Sequence, residues 1–379
     1  MLETPLLNQL QAIRRNLHAN PEVSNFEFET QNEILNYLKK ETNAKFQKVG
    51  QTGVLAIFNS QKQGPTILIR GDIDALPIIE TNTFDHASTA AGVSHKCGHD
   101  GHTTILLGLA KILSENPIRK GKVLLLFQPA EENGMGAEAV LKDAIFQEES
   151  IDYVFALHNL PGYKLHEIVV KENEFTANVK SIILKMTGKT AHAAEPEQGS
   201  NPSMAISEIL AFADSMTHNK PEDENIFLMT PIYATLGDLA YGISAGYGEI
   251  HFTIRSWNTD LMQKRSDAIV DFMEAICAKY QLRSDISWLQ VFHANLNDSD
   301  AVGFIRKAAK HCHFSITERP YPFRWGEDFG LFTQRYKGAM FGLGAGETTP
   351  ALHNPDYDYP DEITETGIRI FYQIIQEIL

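Results

Sequence analysis

Through residues 54–157 the chain alternates short apolar runs rich in β-branched residues with stretches of helical spacing, the pattern of a mostly parallel sheet covered by helices. Residues 54–58, 66–70, 122–127 and 153–157 are the expected strands, and 103–113 and 137–141 the expected helices. From about Asn178 the order changes to strand 179–186, helix 203–216, strands 227–236 and 248–256, helix 260–280 and strand 286–292. That βαββαβ order is a split-βαβ, ferredoxin-like unit. Sheet-like patterning resumes at 339–343, so the unit reads as an insertion. The expected division is therefore a discontinuous α/β domain over 1–177 and 296–379 with an inserted domain over 178–295. Ile370, Phe371, Ile374, Ile375 and Ile378 lie at helical spacing and should cap the first domain. The charged stretch 219–225, with Pro221, reads as a loop inside the insertion.

Length agrees with this division, because 379 residues exceed one ordinary core. Hydrophobic residues make up 43% and charged residues 21%, and no apolar run reaches the roughly 18 residues of a membrane span. Met1-Leu2-Glu3-Thr4-Pro5 lacks the basic start and apolar stretch of a secretory signal, which makes the cytoplasm the expected location. A net charge of −15 argues against nucleic-acid or anionic-membrane partners. Three cysteines, Cys97, Cys277 and Cys312, do not suggest a disulfide framework. Cys277, in an apolar stretch, is expected in the core, whereas Cys97 is free to act as a ligand.

Candidate chemistry concentrates in His95-Lys96-Cys97-Gly98-His99-Asp100-Gly101-His102, followed about thirty residues later by Glu131-Glu132. Thiolate, imidazole and carboxylate are the side chains that hold divalent transition metals. His158 and His353 sit in the near-matching settings Ala-Leu-His-Asn-Leu-Pro and Ala-Leu-His-Asn-Pro. Asp72 and Asp74, Glu131-Glu132 and His158 each lie at or beyond the end of an expected strand, and in an open α/β sheet such ends share one site.

Six ordered motifs then carry a family resemblance: Arg70-Gly71-Asp72-Ile73-Asp74-Ala75-Leu76-Pro77, Cys97-Gly98-His99-Asp100-Gly101-His102, Gln128-Pro129-Ala130-Glu131-Glu132, Ala156-Leu157-His158-Asn159, Gly188-Lys189-Thr190-Ala191-His192-Ala193-Ala194 and Leu352-His353-Asn354-Pro355. They resemble the M20 metallopeptidase family, in its amidohydrolase branch of hippurate hydrolases, N-acyl-amino-acid deacylases, auxin-conjugate hydrolases and N-acetyldiaminopimelate deacetylases. The match runs from Arg14-Arg15-Asn16-Leu17-His18 and Pro21-Glu22 to the C-terminal helix. The resemblance implies two divalent metal ions per subunit, held by Cys97, His99, Glu132, His158 and His353, with Cys97 bridging. Zinc or manganese suits such donors, and cobalt or nickel is accommodated. It further implies that a hydroxide shared by the metals attacks the amide, with Glu131 as general base, Asp74 as the carboxylate that orients a ligand histidine, and Asp72 in a structural role. His102 is expected to hydrogen-bond behind the ligands. His192, which taken alone is a surface histidine, would stabilise the oxyanion and contact substrate, often in the partner subunit's site. Arg255 would clamp a substrate carboxylate, and Glu327-Asp328-Phe329 would lie near the metals. The implied partners are a small N-acylated amino acid and a second copy of the chain, joined through the inserted lid domain.

One segment departs from the branch. Gly242-Ile243-Ser244-Ala245 stands where Asn-Val-Ile-Pro is usual, which removes a side-chain amide from the substrate or oxyanion contacts. Two other readings stay open at this stage: a dipeptidase or aminopeptidase using the same dinuclear chemistry, for which no acidic group for a free α-amine stands out, and a metal-binding relative without catalysis.

Overall fold

A computed structural model describes residues 2–220 and 222–379; Met1, and Pro221 of the expected 219–225 loop, lie outside the described residues. The chain forms two compact units, one of Met1–Phe175, Asn295–Pro320 and Glu327–Leu379, the other of Thr176–Ala294 and Tyr321–Gly326.

The first unit is built on an eight-stranded sheet. Four central strands, in spatial order Lys122–Gln128, Thr66–Asp72, Tyr153–Leu160 and Lys337–Gly344, run parallel. Their interiors are apolar almost without interruption, as in Val123-Leu124-Leu125-Leu126-Phe127, because helices cover both faces of a parallel sheet. The antiparallel strands Gly53–Asn59 and Lys45–Val49 extend one side, and Ile168–Val170 with Ile316–Glu318 extends the other. Helix His99–Glu115 is buried along most of its length, and Ile105 and Leu109 share a core with Ile67, Ile69, Phe155 and Phe341. Helix Ile363–Ile378 adds Ile370, Phe371, Ile374 and Ile375 to that core, as their spacing predicts. Each such side chain taken fully from water contributes roughly 1.5–3 kcal/mol.

Two N-terminal helices, Thr4–Ala19 and Phe28–Glu41, are not among the elements expected above. Leu10 and Leu17, and Ile34, Tyr37 and Leu38, are buried at helical spacing, but Arg14, His18, Thr30 and Gln31 also point inward and interrupt the apolar stripe.

The second unit is a four-stranded antiparallel sheet in the order Phe227–Leu236, Tyr247–Ser256, Asn178–Thr187, Arg283–Phe292. Along Tyr247–Ser256 burial alternates strictly: Ile250, Phe252 and Ile254 join Ile182, Leu184, Ile209 and Met273 in a core beneath helices Ser203–Met216 and Thr259–Lys279. Their neighbours Thr253 and Arg255 face the opposite side of the sheet. The short segment Tyr321–Gly326 belongs to this unit rather than to the sequence that flanks it. Tyr321 stacks on Trp257 with centroids 6.0 Å apart, and Trp325 accepts the Ala177 N–H through its carbonyl at 3.2 Å.

Candidate metal centre

Each parallel strand delivers one piece of chemistry at or beyond its carboxyl end, the region where open α/β sheets gather ligands. Thr66–Asp72 leads into Asp74, Lys122–Gln128 into Glu131 and Glu132, Tyr153–Leu160 carries His158 near its end, and Lys337–Gly344 precedes the loop of His353. Cys97 and His99 flank Gly98, which starts helix His99–Glu115 at φ +89°.

Side chains from these segments converge. Cys97, His99 and His158 form one group of donor atoms lying within 4.8 Å of one another, and Cys97, Glu132 and His353 form a second that shares the same sulfur. Cys97 Sγ is 3.4 Å from His158 Nε2, and the two Glu132 oxygens are 3.8 Å from His99 Nε2 and from His353 Nε2. His99 Nδ1 faces the Asp74 carbonyl at 3.0 Å and its Oδ1 at 3.2 Å, which makes Nδ1 the donor and turns the Nε2 lone pair inward. His158 is turned likewise, by Nδ1–H donation to the Asn159 carbonyl at 2.8 Å. His99 Nε2 and Glu132 Oε1 are buried and have no hydrogen-bond partner. Unpaired polar atoms of this kind are costly, and divalent cations coordinated by two soft-to-borderline triads remove that cost. The donor set fits a pair of such ions.

Charge argues the same way. Asp72, Asp74, Glu131, Glu327 and Asp328 are buried with Glu132 beside them, and Arg70 pairs with Asp72, Glu327 and Asp328 at 2.5, 2.8 and 2.9 Å. One guanidinium does not neutralise that many carboxylates. Burial, reinforced by Asp74 and Asp72, pushes Glu132 up to about 8. Burial with Glu327 and Glu132 pushes Glu131 well above the carboxylate range, and burial with Glu132 pushes up the Cys97 thiol. Against a burial penalty that works downward, Asp72 and Asp74 raise His99 to about 10. Bound cations supply the missing positive charge and favour thiolate, carboxylate and neutral imidazole.

His102 stands behind the donors. Its Nδ1 is 2.6 Å from Asp72 Oδ1 and its Nε2 accepts from the Asn159 backbone and side-chain amides at 3.2 and 3.1 Å, so both nitrogens are engaged. Asn159 also donates to the Cys97 carbonyl at 2.7 Å and accepts from the Tyr357 hydroxyl. Lys96, next to Cys97, is buried and ion-paired to Glu80, and His95 is buried with neither ring nitrogen hydrogen-bonded. Cys277 lies in the core of the second unit.

His192 and Arg255 belong to the second unit. His192 is exposed, on a two-residue strand paired with Ile243–Ser244, and its Nδ1 accepts the Ala194 N–H at 3.1 Å. Arg255 is half-buried and donates to the Arg324 carbonyl at 2.7 Å; among the described residues it has no carboxylate partner, so a strand-end salt bridge does not account for it.

Arg70 and Asn159 stand within the motifs quoted above but were given no role of their own, although Arg70 had a visible signal, a charge ending an apolar strand. Glu27, whose carboxylate accepts the Ala130 N–H at 2.8 Å on the loop that carries Glu131, had none.

Residues 68–377 match the sequence model of Peptidase family M20/M25/M40. The chain is 34% identical over 366 residues to N-acetyl-L-cysteine deacetylase of Bacillus subtilis, covering 96% of this chain and 85% of that protein. It is 29% identical to hippurate hydrolase of Campylobacter jejuni, covering 94% and 93%. A Bacillus subtilis crystal structure, described as a dinuclear metal-binding peptidase of the M20 family, superposes with a TM-score of 0.84 at 26% identity over 99% of both chains.

Proposed function

The chain belongs to peptidase family M20/M25/M40, and on that premise we propose that it hydrolyses the amide bond of N-acylated amino acids or related small conjugates, releasing the acid and the amino acid. The observation that carries the reading is the pair of donor triads sharing Cys97, with Glu131 buried next to the Glu132 that completes one of them. In this reading Cys97, His99, Glu132, His158 and His353 would hold two divalent ions, zinc or manganese, with the Cys97 sulfur common to both donor triads. When bound, the ions supply Lewis-acid polarisation of the amide carbonyl and acidify water.

The remaining steps fall to the chain's own residues. Glu131 takes a proton from the attacking water and returns it to the leaving amine. Burial and neighbouring carboxylates favour its protonated form, which suits the second transfer. Asp74 fixes the His99 ring and the Glu132 backbone together. His192 donates to the developing oxyanion, and Arg255, a guanidinium with no carboxylate counter-charge among the described residues, receives the substrate carboxylate through paired hydrogen bonds. We assign His192 to the partner's site in a homodimer formed through the second unit. Support for that surface comes from the edge strand Phe227–Leu236, which exposes Ile232, Tyr233 and Leu236, and from exposed Leu239, Tyr241 and Ile243. Among the described residues no helix is long and apolar enough to cross a membrane, and we place the enzyme in the cytoplasm.

The test is a hydrolysis screen over acetyl-, benzoyl- and succinyl-amino acids and unblocked dipeptides, with zinc, manganese, cobalt or nickel added after chelation. Metal-restored cleavage of the acylated amino acids is expected. Cleavage confined to unblocked dipeptides would replace this reading with a dipeptidase, and metal uptake without any turnover would replace it with a binding protein.

A further inference from the structure

The loop that carries Glu131 and Glu132 is closed on itself. The Ala130 carbonyl accepts from the N–H groups of Met135 and Gly136 at 3.2 and 3.0 Å, and a side chain on Gly136 would run into the Pro129 carbonyl. Closing the turn so tightly puts Ala130 at φ +53°, a left-handed conformation that costs an alanine roughly 1–2 kcal/mol. Ala130 is buried, so its N–H has no access to water and needs a partner of its own.

That partner is Glu27. One carboxylate oxygen accepts the Ala130 N–H at 2.8 Å, and the other accepts the Thr52 hydroxyl at 2.6 Å. Glu27 is fully buried, and it stands at the start of helix Phe28–Glu41, where a side chain ordinarily caps free backbone N–H groups. It does not cap. Glu22 does that work from outside the helix, accepting the N–H groups of Glu29 and Thr30 at 3.1 and 2.8 Å. The Glu27 carboxylate is thereby left to reach across to the strained residue immediately before Glu131.

We propose that Glu27 is a positioning residue for catalysis: it holds Ala130 in its left-handed conformation through the Ala130 N–H, and so aims the Glu131 carboxylate at the reacting atoms. The inference rests on Glu131 being the general base. It separates aiming from metal binding, because the two anchors of the loop are different groups. Glu132 is tied through its own N–H to Asp74 at 3.0 Å, and Asp328 holds the far end through Ala137 N–H at 2.8 Å. Loss of the Glu27 contact lets the Ala130 peptide relax toward an ordinary conformation and swings Glu131, while Glu132 stays anchored.

The experiment is a double-mutant cycle between Glu27 and Ala130, read by kcat, KM, metal content and melting temperature on metal-loaded full-length protein. Glu27→Ala should lower kcat roughly 100-fold with little change in KM or metal content, the scale of effect of a misdirected catalytic group. Glu27→Gln keeps an acceptor for the Ala130 N–H and should stay within about 10-fold of wild type. Ala130→Gly should cost only a few-fold, because glycine occupies positive φ without strain. In the double variant Glu27→Ala/Ala130→Gly, kcat should recover about 10-fold over Glu27→Ala, since the conformation Glu27 enforces no longer needs enforcing. A carboxylate needed only for folding predicts the opposite, an additive or worse double variant, and that result overturns the proposal. If Glu27→Ala does not accumulate as folded protein, Thr52→Val carries the test: it frees one carboxylate oxygen and should lower kcat several-fold, again relieved by Ala130→Gly, and additivity there overturns the proposal equally. Turnover by Glu131→Gln at the wild-type rate would instead remove the premise, so the two failures are distinct.

Discussion

Asp74 accepts the Glu132 backbone N–H on Oδ2 at 3.0 Å while its Oδ1 lies 3.2 Å from His99 Nδ1. One carboxylate therefore sets the ring of a helix-borne imidazole and the path of the loop bearing an acidic donor. Asp74→Asn should weaken metal retention roughly 10- to 100-fold, because its amide puts an N–H opposite a donor it must accept from. Ser24→Ala, which removes only the hydroxyl contact to Oδ2 at 2.7 Å, should cost less than about 10-fold. Chelator-competition titration measures both, and wild-type retention in Asp74→Asn would dismiss the orienting role.

Glu131 and Glu132 should separate on substitution. Glu131→Gln preserves shape but cannot take a proton, so turnover should fall at least roughly 100-fold with metal content near wild type. Glu132→Gln should lower metal occupancy. Elemental analysis alongside kcat makes the comparison, and equal metal loss in the two variants would contradict the division of roles.

Gly98 should tolerate no side chain. A Cβ there would lie 2.6 Å from Asn159 Nδ2 and 2.9 Å from the Tyr357 hydroxyl, and φ is +89°. Gly98→Ala should destabilise the protein by roughly 2–4 kcal/mol, combining left-handed strain with displaced hydrogen bonds. Because Cys97 and His99 flank the site of strain, metal affinity should fall as well. Denaturant unfolding of metal-loaded protein that matched wild type would show that Asn159 and Tyr357 move aside without cost.

What could be read from sequence followed local rules. The parallel strands declared themselves because burial on both faces demands unbroken apolar runs; His158 stood out as a candidate ligand at a strand end, and Cys97 and His99 through the density of donors around them just before and at the start of a helix. The N-terminal helices were harder to read, because Arg14 and His18 interrupt the apolar stripe of the first and are buried by ion pairs with Asp100, Asp358, Asp361 and Glu80, groups 62 to 347 residues away along the chain. Glu27 illustrates the limit. Its meaning depends on the φ of Ala130, which no spacing in the chain reveals.

That buried network gives stability a pH dependence of known sign. Against the downward pull of burial, hydrogen bonds to Asp100 at 2.8 Å and Glu80 at 3.1 Å raise His18 to about 9 from an unfolded value of 6.5. A raised folded pKa stabilises fully below pH 6.5, and the contribution disappears as pH climbs through about 9. His18→Gln should therefore lose up to roughly 3 kcal/mol of unfolding free energy against wild type at pH 6 and much less at pH 9.5. The same pairs hold Asp100 and Glu80 below the carboxylate range, so wild type should lose stability in acid too, below about pH 4. Urea titrations across pH 5 to 10 measure the difference. A pH-independent gap between wild type and variant would mean that His18 is neutral in the fold.

The last expectation concerns His192 across a homodimer. His192 is exposed and its strand pairs with Ile243, which is 58% exposed, close in sequence to Leu239 and Tyr241 at 90% and 93%. Apolar residues this open are candidates for a surface that another protein covers, and a two-fold pairing would bring the same patch of a second copy against it. If one chain's imidazole serves the other chain's metals, His192→Ala and Glu131→Gln should each be nearly inactive alone, the first for want of an oxyanion donor and the second for want of a base. Mixed and allowed to exchange, about half the dimers become heterodimers, and each holds one site with both groups intact, so activity should return to about a quarter of wild type. Donation within one chain gives a different result, because the heterodimer would then hold one site lacking the donor and another lacking the base, and nothing returns. Exchange is verified by differently tagged chains and mass by light scattering. Complete exchange without recovery excludes the trans arrangement, and a fully active monomer excludes the dimer requirement.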